Sequence, residues 1–324
     1  MNNLRVVVWG LGQHSLNKIL PALVGIPGLG LYGVCSRNKD VVASTANKFG
    51  CKGWLGPREM LFDDNVDVVY LSTPIGLHFI HGKMILLAGK HLWCEKPLVS
   101  RLEDACTLID MAHTRSLQIA EGYMFKYHPH FQQFLQFCKQ DHIGSIRSAT
   151  FRFGIPPLSN PGFRTDPMLG GGAFLDVGCY PVAAALEVFA GSSYSLRYSS
   201  VTLMQGVSVD TSGRAVIEFA DGAEANLEWG INCSYRNEID IWGEFGGIYS
   251  EMIFSKPLDY QPYFIISDQN GRKTRVPSVA ENHFKIMFEY FRGLILDSTG
   301  AADELVKIRD RAKLIELIKV ASGV

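Results

Sequence analysis

The apolar run Leu4–Trp9 is followed at once by the glycine turn Gly10-Leu11-Gly12 and then by a segment with helical spacing. Valines dominate the run, which indicates a strand buried on both faces, as in a parallel sheet. In the segment 13–24 apolar residues recur at intervals of three and four, which is the period of an amphipathic helix. A buried strand that turns through glycines into a helix begins a βαβ unit, so this feature predicts an α/β fold.

Strand–helix alternation continues to about residue 122. We predict further strands at 29–35, 66–72, 91–94 and 117–122, with helices at 39–49, 76–88 and 100–115. Ser100 is predicted to cap the last of these helices, with Glu103 at the capping-box position. Since strand–helix–strand crossovers are right-handed and give parallel pairs, residues 1–122 are predicted to form a Rossmann domain with a doubly wound parallel sheet.

The pattern changes after residue 122. Helices are predicted at 128–139, 173–189, 283–297 and 302–321, and strands at 146–153 and throughout 196–276, where turn signals fall at Asp221-Gly222, Gly246-Gly247 and Asn270-Gly271. Successive strands joined by tight turns make antiparallel pairs. We therefore predict an α+β domain of residues 123–324, an open-faced and mostly antiparallel sheet with flanking helices.

The composition argues against several classes of partner. With 31 Lys and Arg against 32 Asp and Glu, the 324-residue chain has a formal net charge of −1. Nucleic acids and anionic membranes attract concentrated positive charge, so neither is a predicted partner. No uninterrupted apolar stretch approaches the ~20 residues that span a bilayer. The seven cysteines are scattered, odd in number and without a CxxC motif, which favours a reducing compartment, and we expect a cytoplasmic protein.

The glycine turn after the first strand is predicted to bind the phosphates of a dinucleotide. Gly10 permits the tight turn, and Gly12 lets the backbone approach a pyrophosphate. Gln13 and His14 stand at the start of the following helix, where unpaired N–H groups and the positive end of the dipole favour an anion. The third position of the glycine fingerprint is Ser15, which is small enough to keep the helix close to the sheet.

The end of the second strand indicates which dinucleotide is bound. Enzymes that use NAD carry Asp or Glu there, which accepts hydrogen bonds from the ribose hydroxyls. This chain has Ser36-Arg37 instead, a hydroxyl and a guanidinium that suit a 2′-phosphate. Asp40 is nearby but belongs to the following helix. The sequence therefore predicts NADP as the cofactor.

Two further strand ends point to the same edge of the predicted sheet. Ser72-Thr73-Pro74 ends one strand, and Leu77 and His78 follow at the start of the next helix. Because ligands of such sheets bind at the carboxyl ends of the strands, these residues are predicted to contact the cofactor. A single histidine in this position is more often structural than catalytic.

Glu95-Lys96-Pro97 ends the strand at 91–94. Pro97 disfavours a helical backbone at Lys96 and holds it extended. A lysine fixed beside a cofactor can act as an acid, as a hydrogen-bond donor or as an orienter of a substrate oxygen. Glu95 can pair with Lys96 or contact the ribose of the nicotinamide.

The second half of the chain supplies candidate partners. The three glycines 170–172 open a helix and permit close approach of a ligand to the backbone. Asp176 and Tyr180 follow, four residues apart and thus on one helical face. An aspartate within an apolar run is a poor core residue unless it has a partner or a function.

Together these motifs resemble the glucose–fructose oxidoreductase/inositol dehydrogenase (Gfo/Idh/MocA) family over essentially the whole chain. They are the 10–12 glycine turn, Glu95-Lys96-Pro97, and the glycine-led helix with Asp176. Many members have histidine where this chain has Tyr180. The tyrosine form resembles glucose–fructose oxidoreductase, dimeric dihydrodiol dehydrogenase and the nucleotide-sugar 3-ketoreductases of antibiotic pathways. The stretches 155–164 and 176–181 are most similar to the ketoreductases.

The resemblance implies a cis Lys96–Pro97 bond and a homo-oligomer, a dimer or tetramer, formed through the open sheet. It also implies catalytic roles for Lys96, Asp176 and Tyr180, with Arg164 near the cofactor or substrate. The expected activity is NADP(H)-dependent hydride transfer to or from a carbon of a sugar or nucleotide-linked sugar, with reduction of a keto sugar favoured. Whether Lys96 or Tyr180 donates the proton stays open.

Two other interpretations stay open alongside the ketoreductase. One is a dehydrogenase of a free sugar or a trans-dihydrodiol, since no residue fixes the direction of transfer. The other is a dinucleotide-sensing module without catalysis. No metal site is predicted, because the close pair His128 and His130 lacks a carboxylate or cysteine at ligand spacing.

Overall fold

The computed structural model describes residues 3–139, 142–298 and 300–324 and divides into two compact units. The first unit comprises Met1–Gly122 and Asn282–Ala312, and the second comprises Tyr123–Glu281 and Lys313–Val324. The predicted assignment of residues 282–312 to the second domain is therefore wrong. The aromatic side chains of this segment pack against Tyr70 and Trp93 of the first unit, a partner that helical periodicity alone cannot identify.

The first unit contains a six-stranded sheet in the order β3-β2-β1-β4-β5-β6. All of its strand pairs are parallel. The strands are β1 (Leu4–Trp9), β2 (Leu29–Cys35), β3 (Lys52–Trp54), β4 (Val68–Leu71), β5 (His91–Cys94) and β6 (Ile119–Glu121). This arrangement confirms the predicted Rossmann fold, with the short edge strand β3 as an unpredicted addition. The strand order reverses at β1, so the turn after β1 lies where such sheets bind their ligands.

The helices of the first unit cover the sheet. They are α1 (Leu20–Leu23), α2 (Lys39–Phe49), α3 (Pro57–Leu61), α4 (His78–Leu87), α5 (Leu102–Thr114), α8 (His283–Leu296) and the first part of α9 (Ala301–Ser322). A π-helical turn, Ser15–Ile19, precedes α1. The central strand β1 is fully buried at Val6, Val7 and Val8, as its unbroken apolar run predicted.

The predicted capping of α5 by Ser100 is wrong. The residue before the helix is Arg101, which has an extended backbone and no side-chain capping bond. Its guanidinium instead pairs with Glu103 at 2.8 Å. Glu103 therefore meets a cation rather than completing a capping box.

The second unit contains an eight-stranded sheet in the order β14-β13-β12-β11-β7-β10-β9-β8. The strands are β7 (Ile146–Ile155), β8 (Tyr194–Leu203), β9 (Asp210–Phe219), β10 (Glu224–Ile231), β11 (Arg236–Gly243), β12 (Gly246–Glu251), β13 (Tyr263–Asp268) and β14 (Lys273–Pro277). The central pair β7–β10 is parallel and the others are antiparallel. Helices α6 (Pro129–Lys139) and α7 (Cys179–Val188) belong to this unit, and the predicted mostly antiparallel sheet with helices is confirmed.

One predicted turn of this sheet is misplaced. Gly246 and Gly247 lie within β12, and the chain reverses at Glu244 and Phe245 instead. A Cβ at Gly246 would lie 2.2 Å from the carbonyl oxygen of Ser267 on the neighbouring strand. The glycine is therefore required by close strand packing rather than by a turn.

One segment of the described residues, Pro167–Val188, is long and apolar enough to cross a membrane by length and composition. We did not predict such a segment. In the structure 78% of its apolar window is buried within the protein, which is typical of a core helix. The segment includes a second π-helical turn, Phe174–Gly178, and α7.

Close packing at this π turn leads to a first prediction. A Cβ at Gly178 would lie 2.7 Å from Phe174 Cδ2 and 2.8 Å from Trp229 Cγ. We expect Gly178→Ala to destabilise the protein by about 1–3 kcal/mol, because two buried rings must shift. The measurement is the midpoint of thermal or urea unfolding.

Gly293→Ala is the matched control for this prediction. Gly293 lies within α8, and an added methyl group there meets no atom within 4 Å. Replacing a helical glycine by alanine at an uncrowded site is expected to stabilise by about 0.5–1 kcal/mol. Equal shifts of the midpoint in the two variants would contradict the packing argument.

Candidate active site

The turn after β1 brings the backbone of two strands into close contact. Gly10 has a φ of 110°, and a Cβ there would lie 2.3 Å from the carbonyl oxygen of Ser72 at the end of β4. The backbone N–H of Ser72 donates to Trp9 O at 2.8 Å. At Gly12, by contrast, an added Cβ would meet no protein atom within 4 Å. The backbone is therefore open at Gly12, as the approach of a phosphate group requires.

Ser15, at the third position of the fingerprint, does more than keep the helix close. It is fully buried, and its hydroxyl donates to Ser72 Oγ at 2.7 Å. This bond joins the start of the helical segment to the end of β4. The exposed side chain of Gln13, one of the predicted cofactor contacts, accepts a hydrogen bond from Asn17 at 3.1 Å.

Glu95 lies at the centre of a polar cluster after β5. Its Oε1 atom is 3.0 Å from His14 Nε2 and accepts a hydrogen bond from the Tyr70 hydroxyl at 2.6 Å. Burial alone raises the pKa of Glu95, but the ion pair with His14, the Tyr70 hydroxyl and the charge of Lys96 together lower it to about 2. Glu95 is thus a carboxylate at neutral pH, and sequence reasoning missed its tie to His14.

Ser36 and Arg37 lie directly after β2. Ser36 Oγ accepts from the backbone N–H of Asn38 at 3.4 Å, and Arg37 is exposed. In residues 3–139, 142–298 and 300–324, the Arg37 side chain has no hydrogen bond or ion pair. Asp40 lies in the first turn of α2, where its backbone N–H is capped by Asn38. Ser36 and Arg37 therefore stand at the end of β2 where NAD enzymes have the acidic residue that binds the ribose.

His81, which the sequence analysis missed, lies at the ends of β1 and β4. Its ring stacks on Trp9 with centroids 4.2 Å apart, and its Nδ1 lies 3.0 Å from Thr73 Oγ1. Burial, together with the neighbouring His78 ring and the Arg37 guanidinium, lowers the pKa of His81 to about 4. The only sequence signal was its position three residues after His78 in α4, one turn along the helix.

His78 differs from its predicted role as a cofactor contact. Its ring is fully buried, with Nε2 2.8 Å from Thr73 O and Nδ1 2.9 Å from Pro97 O. Both ring nitrogens thus face backbone carbonyls, and burial lowers the pKa of the ring despite these contacts. The side chain joins the loop after β4 to the loop after β5. Leu77 and Pro74 form the short 3₁₀ turn that leads into this helix.

The Lys96–Pro97 peptide bond is cis, as the resemblance implies. Lys96 is half-buried, whereas Pro97 and Leu98 are buried. The charge of Lys96 acts on the adjacent Glu95 carboxylate. The carboxyl ends of β1, β2, β4 and β5 thus carry the candidate residues of the first unit.

In the second unit Asp176 has a partner of its own. Arg164 donates from Nε to Oδ2 at 2.5 Å and from Nη2 to Oδ1 at 3.3 Å. The Arg164 guanidinium also lies over the ring of Phe163, 5.2 Å from its centroid. This forked pair explains how a carboxylate is accommodated in an apolar run, and it places Arg164 beside Asp176.

Tyr180 lies four residues further along, in the first turn of α7. It is nearly buried, and its hydroxyl contacts Met124 Sδ at 3.7 Å. Aromatic rings surround it, those of Tyr123, Phe125, Phe153 and Phe254. The phenol is therefore held in an apolar setting with its hydroxyl at a sulfur atom, which is a weak acceptor.

The glycines before Asp176 leave space for neighbouring atoms of the protein. A Cβ at Gly172 would lie 2.3 Å from Asp210 Oδ1, and one at Gly171 would lie 2.6 Å from Arg164 O. Asp210 accepts from the backbone N–H of Phe174 at 2.8 Å and from Trp229 Nε1 at 2.9 Å. The close approach that we predicted for a ligand is thus made by a capping carboxylate from β9. Burial raises the pKa of Asp210.

Comparison with known families supports this description of the two units. Residues 4–123 match the family model described as an oxidoreductase family with an NAD-binding Rossmann fold, GFO_IDH_MocA. Residues 131–249 match the model of a GFO/IDH/MocA C-terminal domain.

Individual proteins match most of the chain. The dTDP-3,4-didehydro-2,6-dideoxy-alpha-D-glucose 3-reductase of Saccharopolyspora spinosa is 30% identical over 302 residues, which cover 93% of this chain and 90% of that protein. The trans-1,2-dihydrobenzene-1,2-diol dehydrogenase of Xenopus tropicalis is 26% identical, covering 83% and 81%. The crystal structure of KijD10, a 3-ketoreductase from Actinomadura kijaniata in complex with NADP and TDP-benzene, has a TM-score of 0.95 at 28% identity and covers 99% and 98%.

The resemblance inferred from the motifs is therefore confirmed, and the chain belongs to the GFO/IDH/MocA oxidoreductase family.

Proposed function

We propose that the protein is an NADP(H)-dependent reductase of a keto group on a nucleotide-linked sugar. The observation that carries the proposal is the similarity to sugar 3-reductases over nearly the whole chain, together with Lys96, Asp176 and Tyr180. The first unit would bind the cofactor, and the second would bind the substrate.

The residues of the first unit fit NADP(H). The open backbone at Gly12 and the helix that follows it suit the pyrophosphate, with Gln13 and His14 at the helix N-terminus. Ser36 and Arg37 would hold the 2′-phosphate by hydrogen bonding and charge. When bound, the cofactor supplies the hydride.

The remaining predicted contacts line the ends of β4 and β5. Ser72, Thr73, Pro74 and Leu77 would border the dinucleotide through the loop after β4. Glu95 is held as a carboxylate by His14 and Tyr70, and it would contact the ribose next to the nicotinamide. Its negative charge also attracts the ammonium group of Lys96 and so orients it.

Lys96 and Tyr180 are the candidate proton donors to the oxygen of the reduced carbon. The Lys96 ammonium would stabilise the negative charge that develops on that oxygen. The Tyr180 hydroxyl, which contacts the sulfur atom of Met124, would donate to the same oxygen. Asp176, oriented by Arg164, would accept a hydrogen bond from a neighbouring sugar hydroxyl. Arg164 thereby acts near the substrate through the carboxylate.

A second candidate function is oxidation of a free sugar or a trans-dihydrodiol. Its support is the similarity to the Xenopus dihydrodiol dehydrogenase and to D-xylose 1-dehydrogenase (NADP(+)) 2 of Haloferax volcanii, which is 31% identical over 60% of this chain. The same residues would act in the reverse direction. A module that only senses the dinucleotide is the third alternative, and the absence of turnover with every substrate would favour it.

We also propose a cytoplasmic homo-oligomer, a dimer or tetramer. The open face of the eight-stranded sheet bears large exposed rings, among them Trp242, which is 68% exposed, and Tyr198. Such rings are typical of protein interfaces. All seven cysteines are free thiols, which is consistent with a reducing compartment.

The cofactor proposal predicts that Arg37→Ala loses selectivity for NADPH. The guanidinium would pair with the 2′-phosphate, and a charge-assisted contact of this kind corresponds to roughly 10–100-fold in affinity. The ratio of kcat/KM for NADPH to that for NADH should fall by this factor. Arg101→Ala is the control, since Arg101 is exposed at the start of α5 and pairs with Glu103. An unchanged ratio in the Arg37 variant would count against NADP(H).

The catalytic proposal predicts that Lys96→Met and Tyr180→Phe both slow the chemical step. The variant that lacks the proton donor should lose about 10²–10⁴-fold in single-turnover rate. The other of the two variants should lose less, and this difference identifies the donor. The assay follows nicotinamide absorbance with NADPH and a panel of keto sugars and nucleotide-linked keto sugars. Solved structures of KijD10 include variants with a lysine and a tyrosine replaced at the same separation along the chain, which supports this choice.

Tyr123→Phe is the matched control for the tyrosine. Tyr123 is buried, and its ring centroid lies 5.8 Å from that of Tyr180. Removal of the Tyr123 hydroxyl should leave the rate of the chemical step unchanged. If neither the Lys96 nor the Tyr180 variant slows turnover, the assignment of both residues fails.

A further inference from the structure

Glu121 ends β6 and contacts the turn that carries Lys96. Its Oε1 accepts from the backbone N–H of Leu98 at 2.6 Å, and its Oε2 accepts from Arg311 Nε at 2.5 Å. In the sheet, Glu121 is paired with Cys94, the last residue of β5. The carboxylate thus reaches over the end of β5 to a backbone group two residues beyond Lys96.

Arg311 of α9 holds this carboxylate within the interior of the first unit. Its Nη2 donates to Glu304 Oε1 at 2.8 Å, so one guanidinium joins two carboxylates. The side chains of Arg311, Glu121 and Glu304 are only 2%, 3% and 1% exposed. A buried carboxylate needs such partners, and a satisfied network of this kind is rigid.

The same turn is held from its other side. His78 lies at 2.9 Å from the carbonyl oxygen of Pro97, the residue between Lys96 and Leu98. The Pro97–Leu98 peptide group, the second after Lys96, is therefore held at its carbonyl by His78 and at its N–H by Glu121, two buried side chains from different elements. Fixing this group restrains the turn from which the Lys96 side chain leaves the backbone.

We propose that Glu121, oriented by Arg311, is a positioning residue for Lys96. The proposal rests on the catalytic role of Lys96 given under the proposed function. If Glu121 and Arg311 only fastened α9 to the sheet, the bond from Glu121 to Leu98 would have no consequence for the reaction. The bond from Arg311 to Glu304 lies within α9, since both residues belong to that helix, and it makes no contact with the Lys96 turn.

The first experiment compares Glu121→Gln with Glu304→Gln. Both remove one charged partner of Arg311, but only the first alters the contact with Leu98. We expect Glu121→Gln to lower kcat by roughly 10–100-fold with KM for NADPH within about twofold, since a small displacement of a reacting group costs this much. Glu304→Gln should lower the thermal midpoint while kcat stays within about threefold. A normal kcat in a folded Glu121→Gln protein would overturn the proposal.

The second experiment tests whether Glu121 acts through Lys96. Glu121→Gln is combined with Lys96→Met, and single-turnover rates of the four proteins form a double-mutant cycle. If Glu121 only positions Lys96, the double variant should be no slower than Lys96→Met alone. Multiplicative losses would mean that Glu121 acts independently, and the proposal would be wrong.

A third variant keeps the proposal testable if Glu121→Gln folds poorly. Glu121→Asp keeps the charge that Arg311 needs but shortens the reach to Leu98, and it should show the same selective loss of kcat. The outcomes also separate this proposal from the function itself. A normal rate in Lys96→Met removes the catalytic role of Lys96, whereas a slow Lys96→Met with normal Glu121 variants removes only the positioning role.

Discussion

The parallel pairing of β1, β4 and β5 is the constraint on which the site of the first unit depends. It brings three strand ends side by side, and each end contributes a loop of polar residues. The spacing is close enough that Gly10 has no room for a side chain, because the carbonyl oxygen of Ser72 lies where its Cβ would be. Side-chain bonds then join the loops in pairs, Ser15 to Ser72 and His78 to Thr73 and Pro97. The loops are therefore held as one rigid group, as a binding site requires.

Buried charge serves the same purpose in both units. Each buried carboxylate described above has a basic or N–H partner aimed at it: Glu95 has His14, Asp176 has Arg164, and Glu121 has Arg311. Removal of one member of such a pair leaves the other without compensation, which is costly in a poorly solvated interior. These pairs therefore fix geometry more than they add stability. Glu95 adjoins Lys96 in the sequence, and Asp176 lies one helical turn before Tyr180, so these two pairs border the residues that we propose for catalysis.

The sequence was sufficient for features that local patterns encode. The buried strands, the glycine turn and the helix at Lys39–Phe49 follow from hydrophobic periodicity and from residues with special backbone freedom. The ties between distant segments could not be predicted in this way. Arg311 and Glu121 are 190 positions apart, and Asp210 caps Phe174 from a different strand. No spacing rule connects such residues, because their proximity is a product of the tertiary fold. The same limit placed residues 282–312 in the wrong unit.

Arg37 differs from Arg164 and Arg311 in its partners, and the proposed preference for NADP depends on this difference. Arg164 and Arg311 both donate to carboxylates of their own unit. Across the part of the chain that the structure describes, the exposed Arg37 side chain has no such partner. A guanidinium keeps its charge at any physiological pH and presents five donors, so one in this state is suited to an external anion. An aspartate or glutamate at the end of β2 would repel a 2′-phosphate, and Asp40 belongs to the first turn of α2. We therefore propose that the choice between the two dinucleotides depends on the exposed charge of Arg37.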